Sequence, residues 1–147
     1  MAHRSNRTVT ARVERWLDYV FFAGMEVCVL GMPALFLLLF APNPVAVSLS
    51  ATAALVATVL AVGTFRGGYV GDGRWPAAGD LVTLPIRSAY YSGLLGLGSY
   101  LGGAAQLATG RWWVGVVVPV ALIPALLAPL PRVLAGVRRT AKWSMGA

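Results

Sequence analysis

From Leu17 to Phe40 the chain reads LDYVFFAGMEVCVLGMPALFLLLF, apolar except for Asp18 at its edge and one carboxylate, Glu26, inside it. A helix crosses a hydrocarbon core of about 30 Å with roughly 20 apolar residues at 1.5 Å each. This stretch is long enough to span with some tilt. A secretory signal core is only about 7 to 15 residues long and ends on small residues. Here the apolar run continues into the bulky ALFLLLF, which predicts a retained first span over 17–40.

Three further apolar blocks follow. Ala41-Pro42-Asn43-Pro44 cannot continue a helix, because each proline lacks an amide donor. The short link makes the second span, 45–65, an antiparallel neighbour of the first. Its Ser50, Ala54 and Thr58 recur at four-residue spacing beside Ala53, Ala57 and Ala61, a small-residue face that lets backbones approach in lipid. The longest polar segment, RGGYVGDGRWPAAGD over 66–80, reads as a membrane-surface loop anchored by Tyr69 and Trp75. Its glycines match neither the phosphate-loop pattern nor the dinucleotide pattern.

The third span is predicted over 84–109, with Leu81 to Ser88 as an interfacial lead-in and Pro85 in the first turn. Ser92, Gly96, Ser99 and Gly103 share one face, Gly98 and Gly102 form a separate G-x-x-x-G pair, and Leu94 is assigned to the lipid side. This helix is the expected packing hub, with Gln106 able to bond a neighbour near its far end. The fourth span, 112–130, contains Pro119, Pro124 and Pro129, which leave the carbonyls of Gly115, Val120 and Ala125 without their usual donors. Neighbouring hydroxyls or water would satisfy them in a kinked helix; otherwise they could line a cation path.

Both ends are amphipathic. Val9, Val13, Trp16 and Val20 recur at helical spacing away from Arg12 and Arg15, as in a helix lying on the membrane surface before it turns in. In the tail, 132–147, Val133, Leu134, Val137 and Ala141 oppose Arg132, Arg138, Arg139 and Lys142. Arginines flank the N-terminus, the second link and the C-terminus, so the positive-inside rule puts both termini in the cytoplasm. The expectation is an all-α integral membrane protein of one domain, a four-helix transmembrane bundle, N-in and C-in.

Composition agrees with this. Only 12% of the 147 residues are charged and 58% are hydrophobic, too little polar surface for a soluble globule. The net charge of +7 lies beside the spans, where it sets topology and meets anionic lipid headgroups rather than nucleic acid. Eleven of the twelve basic residues are Arg, a bias expected of a GC-rich prokaryotic genome and hence of a prokaryotic plasma membrane. The single cysteine, Cys28, excludes an intramolecular disulfide.

Candidate chemistry is sparse. An ionised carboxylate in hydrocarbon costs at least about 2.5 kcal/mol, so Glu26 must face a partner or a wet cavity. Depth counted from the span ends puts Arg87 within about 4.5 Å of its level. The two readings are a structural Glu26–Arg87 ion pair and a proton- or cation-coupled site. Glu26 in GMEV resembles the lone glutamate in the first span of the small multidrug resistance transporters, which also have about four spans in a short chain. That resemblance covers one residue and a helix count, and it implies proton-coupled transport through Glu26. His3 lies in a tail expected to be disordered, and Asp72 and Asp80 match no metal or phosphotransfer pattern. No cofactor, metal site or enzymatic activity is predicted. The expected role is that of a non-enzymatic membrane subunit or assembly partner, acting on other membrane proteins or on copies of itself.

Overall fold

The computed structural model describes residues 2–69, 75 and 80–146, most of them helical and none in a strand. The helices are α1 (Ala2–Leu30), α2 (Met32–Leu38), α3 (Pro44–Arg66), α4 (Leu84–Thr109), α5 (Val114–Leu127) and α6 (Leu130–Met145). Among the described residues, Pro44–Arg66 and Val114–Met145 are each long and apolar enough to cross a membrane, and a third span results if α1 and α2 are taken as one. Most of the predicted 66–80 loop lies outside the described residues.

The predicted first span is not one straight helix. α1 runs without interruption from Ala2, taking in the segment expected to lie flat and His3, which was expected in a disordered tail. The break comes later, at Gly31, where α2 departs at 61°. Pro33 explains its position, because a residue without an amide hydrogen leaves the carbonyl of Val29 without its helical donor. The opened turn is tied down from α4: the hydroxyls of Ser88 and Ser92 both donate to the Leu30 carbonyl, at 2.9 and 3.2 Å.

Neighbouring helices alternate in direction. On the α1–α3 seam, Trp16 donates to Thr64 at 3.1 Å, Val20 lies against Gly63 and Gly24 against Val59, which is antiparallel order. On the α3–α4 seam, Val47 meets Gly103, Ser50 meets Gly102 and Ala54 meets Gly98. Against α5, Gly98 packs on Ile123, and Tyr90 donates to the Leu126 carbonyl further along. The start of α1, the end of α3, the start of α4 and the end of α5 therefore gather at one end of the molecule. Val27, Tyr91, Leu95, Ile123, Leu127 and Leu130 fill the interior between them.

α4 touches α1, α2, α3 and α5, but α3 touches as many neighbours, α1, α2, α4 and α5, so the hub expected in α4 is shared with α3. The Gly, Ser and Tyr content of α4 nevertheless keeps it out of the set of helices apolar enough to span by composition. Those small residues are what the packing uses. At Gly102 a Cβ would lie 2.7 Å from Ser50 Oγ and 2.9 Å from the Gly115 carbonyl oxygen, and at Gly63 one would lie 2.9 Å from the Val20 backbone. Gly96 is different, since a Cβ there meets nothing within 4 Å. Leu94, assigned to lipid from the sequence, is buried. The close seam therefore joins Gly98 and Gly102 of one predicted set to Ser99 and Gly103 of the other, and Gly96 falls outside it.

The proline-rich fourth block keeps Pro119 and Pro124 inside α5, with one opened carbonyl met from a neighbouring helix. Ser50 Oγ donates at 2.8 Å to the Gly115 carbonyl, the acceptor that Pro119 leaves open. Val120 and Ala125 are in exposed positions, so the three carbonyls do not line a common interior path. Trp112 and Trp113 precede α5 in a turn rather than opening the helix.

Gly102→Ala should lower the detergent-solubilised melting temperature, an overpacking cost of about 1–3 kcal/mol. Gly96→Ala should be neutral or slightly stabilising, because alanine is favoured over glycine in a helix by about 1 kcal/mol. Leu94→Ala should cost about 2–5 kcal/mol through the cavity it leaves. Thermal unfolding of the three variants in one detergent gives the ranking.

Candidate functional site

Three helices converge on Glu26. Cβ atoms lean toward a helix's own N-terminus, so the Glu26 side chain on α1 and the Arg66 side chain on the antiparallel α3 lean toward each other. Arg66, the last residue of α3, thereby turns back into the bundle and donates through Nη2 to Glu26 Oε2. Arg87, one turn into α4, donates through Nη1 to Glu26 Oε1 at 2.5 Å, and the Tyr91 hydroxyl is 3.3 Å from the same oxygen. Both carboxylate oxygens are occupied. The side chain of Arg87 is fully buried, that of Glu26 is 7% exposed and that of Arg66 10%.

A chain of contacts leads outward. Arg87 Nη2 donates to the Asp80 carbonyl at 3.0 Å, and the Arg87 amide to the Thr83 carbonyl at 2.9 Å. The Asp80 carboxylate accepts the amide of Val82 at 3.2 Å and a hydrogen bond from Arg138 on α6. That bond, more than the accompanying charge, holds the Asp80 carboxyl below its ordinary value of 3.8, with partial burial opposing it. The amphipathic tail is thus latched to the segment that buttresses Arg87.

Sequence reasoning identified Glu26 and Arg87, which the structure brings together, but missed Arg66, Tyr91 and Asp80. Arg66 was assigned to the loop because it stands at the end of its apolar block. The signal that could have found it is side-chain direction: on a descending helix a terminal arginine reaches back into the bundle as easily as out of it. The helix-packing candidates Ser92, Gly96, Ser99, Gly103, Gly98 and Gly102 all lie further along α4, and of these only Ser92 touches the α1 break beside the site.

The arrangement can fix three helices to one another, and among the described residues no group of His, Cys, Asp and Glu could hold a metal. A separate cavity of about 280 Å³ lies between α2 and α3, lined by Leu35, Leu38, Val47 and Leu55 among others. On its wall the hydroxyls of Ser48 and Thr52 are bonded back to their own helix, so it offers apolar contact only.

Residues 10–137 match the model of a family described as Domain of unknown function (DUF8215). The chain belongs to this family. The match takes in Glu26, Arg66, Asp80, Arg87 and Tyr91, and stops one residue short of Arg138. No curated protein and no solved structure matches the chain.

The Asp80–Arg138 latch gives a pH prediction. A carboxyl whose pKa is lowered on folding contributes above its unfolded value, and the contribution is lost as pH falls through the folded value. Hydrogen exchange of the α6 amides, corrected for intrinsic rates, should therefore show no step between pH 5 and 8. Because the Arg138 side chain is 49% exposed, added salt should raise exchange in the wild type. Asp80→Asn should raise it at low salt and remove most of the salt dependence.

Proposed function

We propose that this chain is a non-enzymatic membrane subunit or assembly partner in which Glu26 is a structural lock rather than a proton carrier. The observation that carries this is the occupation of both Glu26 oxygens by guanidinium groups, with a phenol added on one side. A carboxylate that cycles protons needs a state in which it is released to water, and two guanidinium groups held against it oppose that release. The outer surface of α1 and α2, with Phe21, Phe22, Met25, Phe36 and Leu37 exposed, supplies the apolar face such a subunit would turn to lipid or to another membrane protein.

In this reading α4 also spans, as the third of four spans and shielded by its neighbours, and both termini lie at the cytoplasmic face of a prokaryotic plasma membrane. The terminal arginines then meet anionic headgroups. The alternating helix directions and the clustering of Arg66, Arg87 and Arg138 at the end where α1 begins support that orientation. Reporter fusions after Gly146 and at Gly73 should be cytoplasmic, and fusions at Asn43 and Gly110 external. A cytoplasmic reporter at Asn43 would overturn the four-span arrangement.

One feature favours the second reading, a small proton- or cation-coupled transporter: the helix break at Gly31 lies little more than a turn from Glu26, and broken helices often build ion sites. The two readings part on Glu26→Gln. For a lock, the substitution strands two buried cations and should cost about 3 kcal/mol or more. Arg87→Gln alone should cost less, because Arg66 still serves the carboxylate, and the double variant should recover part of the Glu26→Gln loss. For a carrier, Glu26→Gln should keep the melting temperature and abolish pH-driven flux in liposomes. A stable Glu26→Gln protein that has lost such flux would replace the lock with the carrier.

A further inference from the structure

Arg66 is held by Glu26 at one nitrogen only. Its Nε and Nη1 are buried and, among the described residues, have no hydrogen-bond partner, although nine-tenths of the side chain is out of solvent. Buried donors of a charged group are costly to leave unmade, because burial removes the water that would otherwise accept from them. The carboxylate that Arg66 does contact is shared with Arg87, so it neutralises Arg66 only in part. A second donor is in the same condition at the same end of α3. Trp75 stacks on Phe65, the residue before Arg66, with ring centres 5.7 Å apart, and its buried indole Nε1 has no partner among the described residues.

Together these are N–H donors beside a cation and at the helix end where aromatic residues collect. Trp16, Tyr19 and Tyr69 lie alongside, Tyr69 bonding the Arg12 carbonyl across the α1–α3 seam. Aromatic residues of that kind mark headgroup depth in a membrane helix. We infer that Arg66, with Trp75, forms a binding site for a phosphate oxyanion at the loop end of α3, one oxygen on the free guanidinium edge beside Glu26. A guanidinium fork matches phosphate geometry, which a lysine ammonium does not. The oxyanion could be the phosphate of an anionic phospholipid or free inorganic phosphate. This site differs from the general attraction of surface arginines to the leaflet, because its donors are buried and belong to one residue pair.

The test uses the full chain in a neutral detergent. Melting temperature is followed against inorganic phosphate and, separately, against short-chain phosphatidylglycerol, with chloride at matched ionic strength and short-chain phosphatidylcholine as controls. Binding to the folded state should raise the melting temperature by about 4 °C at ten times the dissociation constant. Arg66→Lys should abolish that rise and Arg139→Gln should leave it. A rise with both ligands identifies a site open to free phosphate, and a rise with phosphatidylglycerol alone identifies a lipid site; either supports the inference. No rise with either ligand, or an equal rise in Arg66→Lys, overturns it and leaves water as the partner of the buried donors. If Arg66→Lys does not fold, native mass spectrometry of the wild type decides between lipid and water. One phosphatidylglycerol retained per chain, and displaced by excess inorganic phosphate, supports the site, and a fully delipidated chain with no phosphate adduct overturns it.

Discussion

An ionised carboxylate placed inside an apolar helix bundle requires cations, and the position of those cations dictates how the helices can sit. Glu26 draws Arg66 from the end of α3 and Arg87 from the first turns of α4, so one acid fixes the relative depth of three helices. Apolar contacts between leucines and valines tolerate sliding by a turn, since one methyl surface resembles the next. A three-centre ionic contact does not. The ring of small residues on α4 can then bring Ser50 against Gly102 and Val47 against Gly103 only because the depth has already been set at the other end of the molecule.

The same end shows how an interior charge cluster is joined to the surface. Arg87 leans on the Asp80 carbonyl, and the Asp80 carboxylate holds Arg138. The buried half of this chain lies in low dielectric and is insensitive to salt, while the outer half is half-exposed and screened within about 8 Å at physiological ionic strength. α6 is therefore fastened in two ways of unlike strength. Leu130 and Leu134 enter the core, and beyond them the helix relies on a contact that ionic conditions can loosen.

How much of this was legible in the sequence depends on which physical rule each feature obeys. Apolar blocks and proline links located α3, α4 and α5 to within a few residues, because those rules are local. The depth count that paired Glu26 with Arg87 worked because both side chains lean toward the same end of parallel helices. It missed Arg66, whose Cα lies at the mouth of the bundle while its guanidinium does not. Gly96 and Gly102 were indistinguishable by spacing, since choosing the face that meets α3 requires the rotation of α4, a tertiary property. The bend at Gly31 was hidden by hydropathy: LGMPALF is apolar whether straight or broken, and Pro33 alone did not reveal a 61° turn.

That bend, and the prolines inside α5, open backbone carbonyls that need partners. A broken helix in a membrane exposes carbonyls that lipid cannot satisfy, and a break meant to open and close would find its partners in water or in a transported ion. Here the partners are fixed side chains. Ser88 and Ser92 serve the Leu30 carbonyl, Ser50 serves Gly115, and Tyr90 serves Leu126, each from a helix packed directly against the disrupted one. Moving α4 away from α1 would strand the Leu30 carbonyl together with the Glu26–Arg87 contact, and moving α3 away from α5 would strand Gly115. Each opened carbonyl is thus coupled to a helix seam. The irregular backbone therefore ties each interrupted helix to the neighbour whose side chain satisfies it.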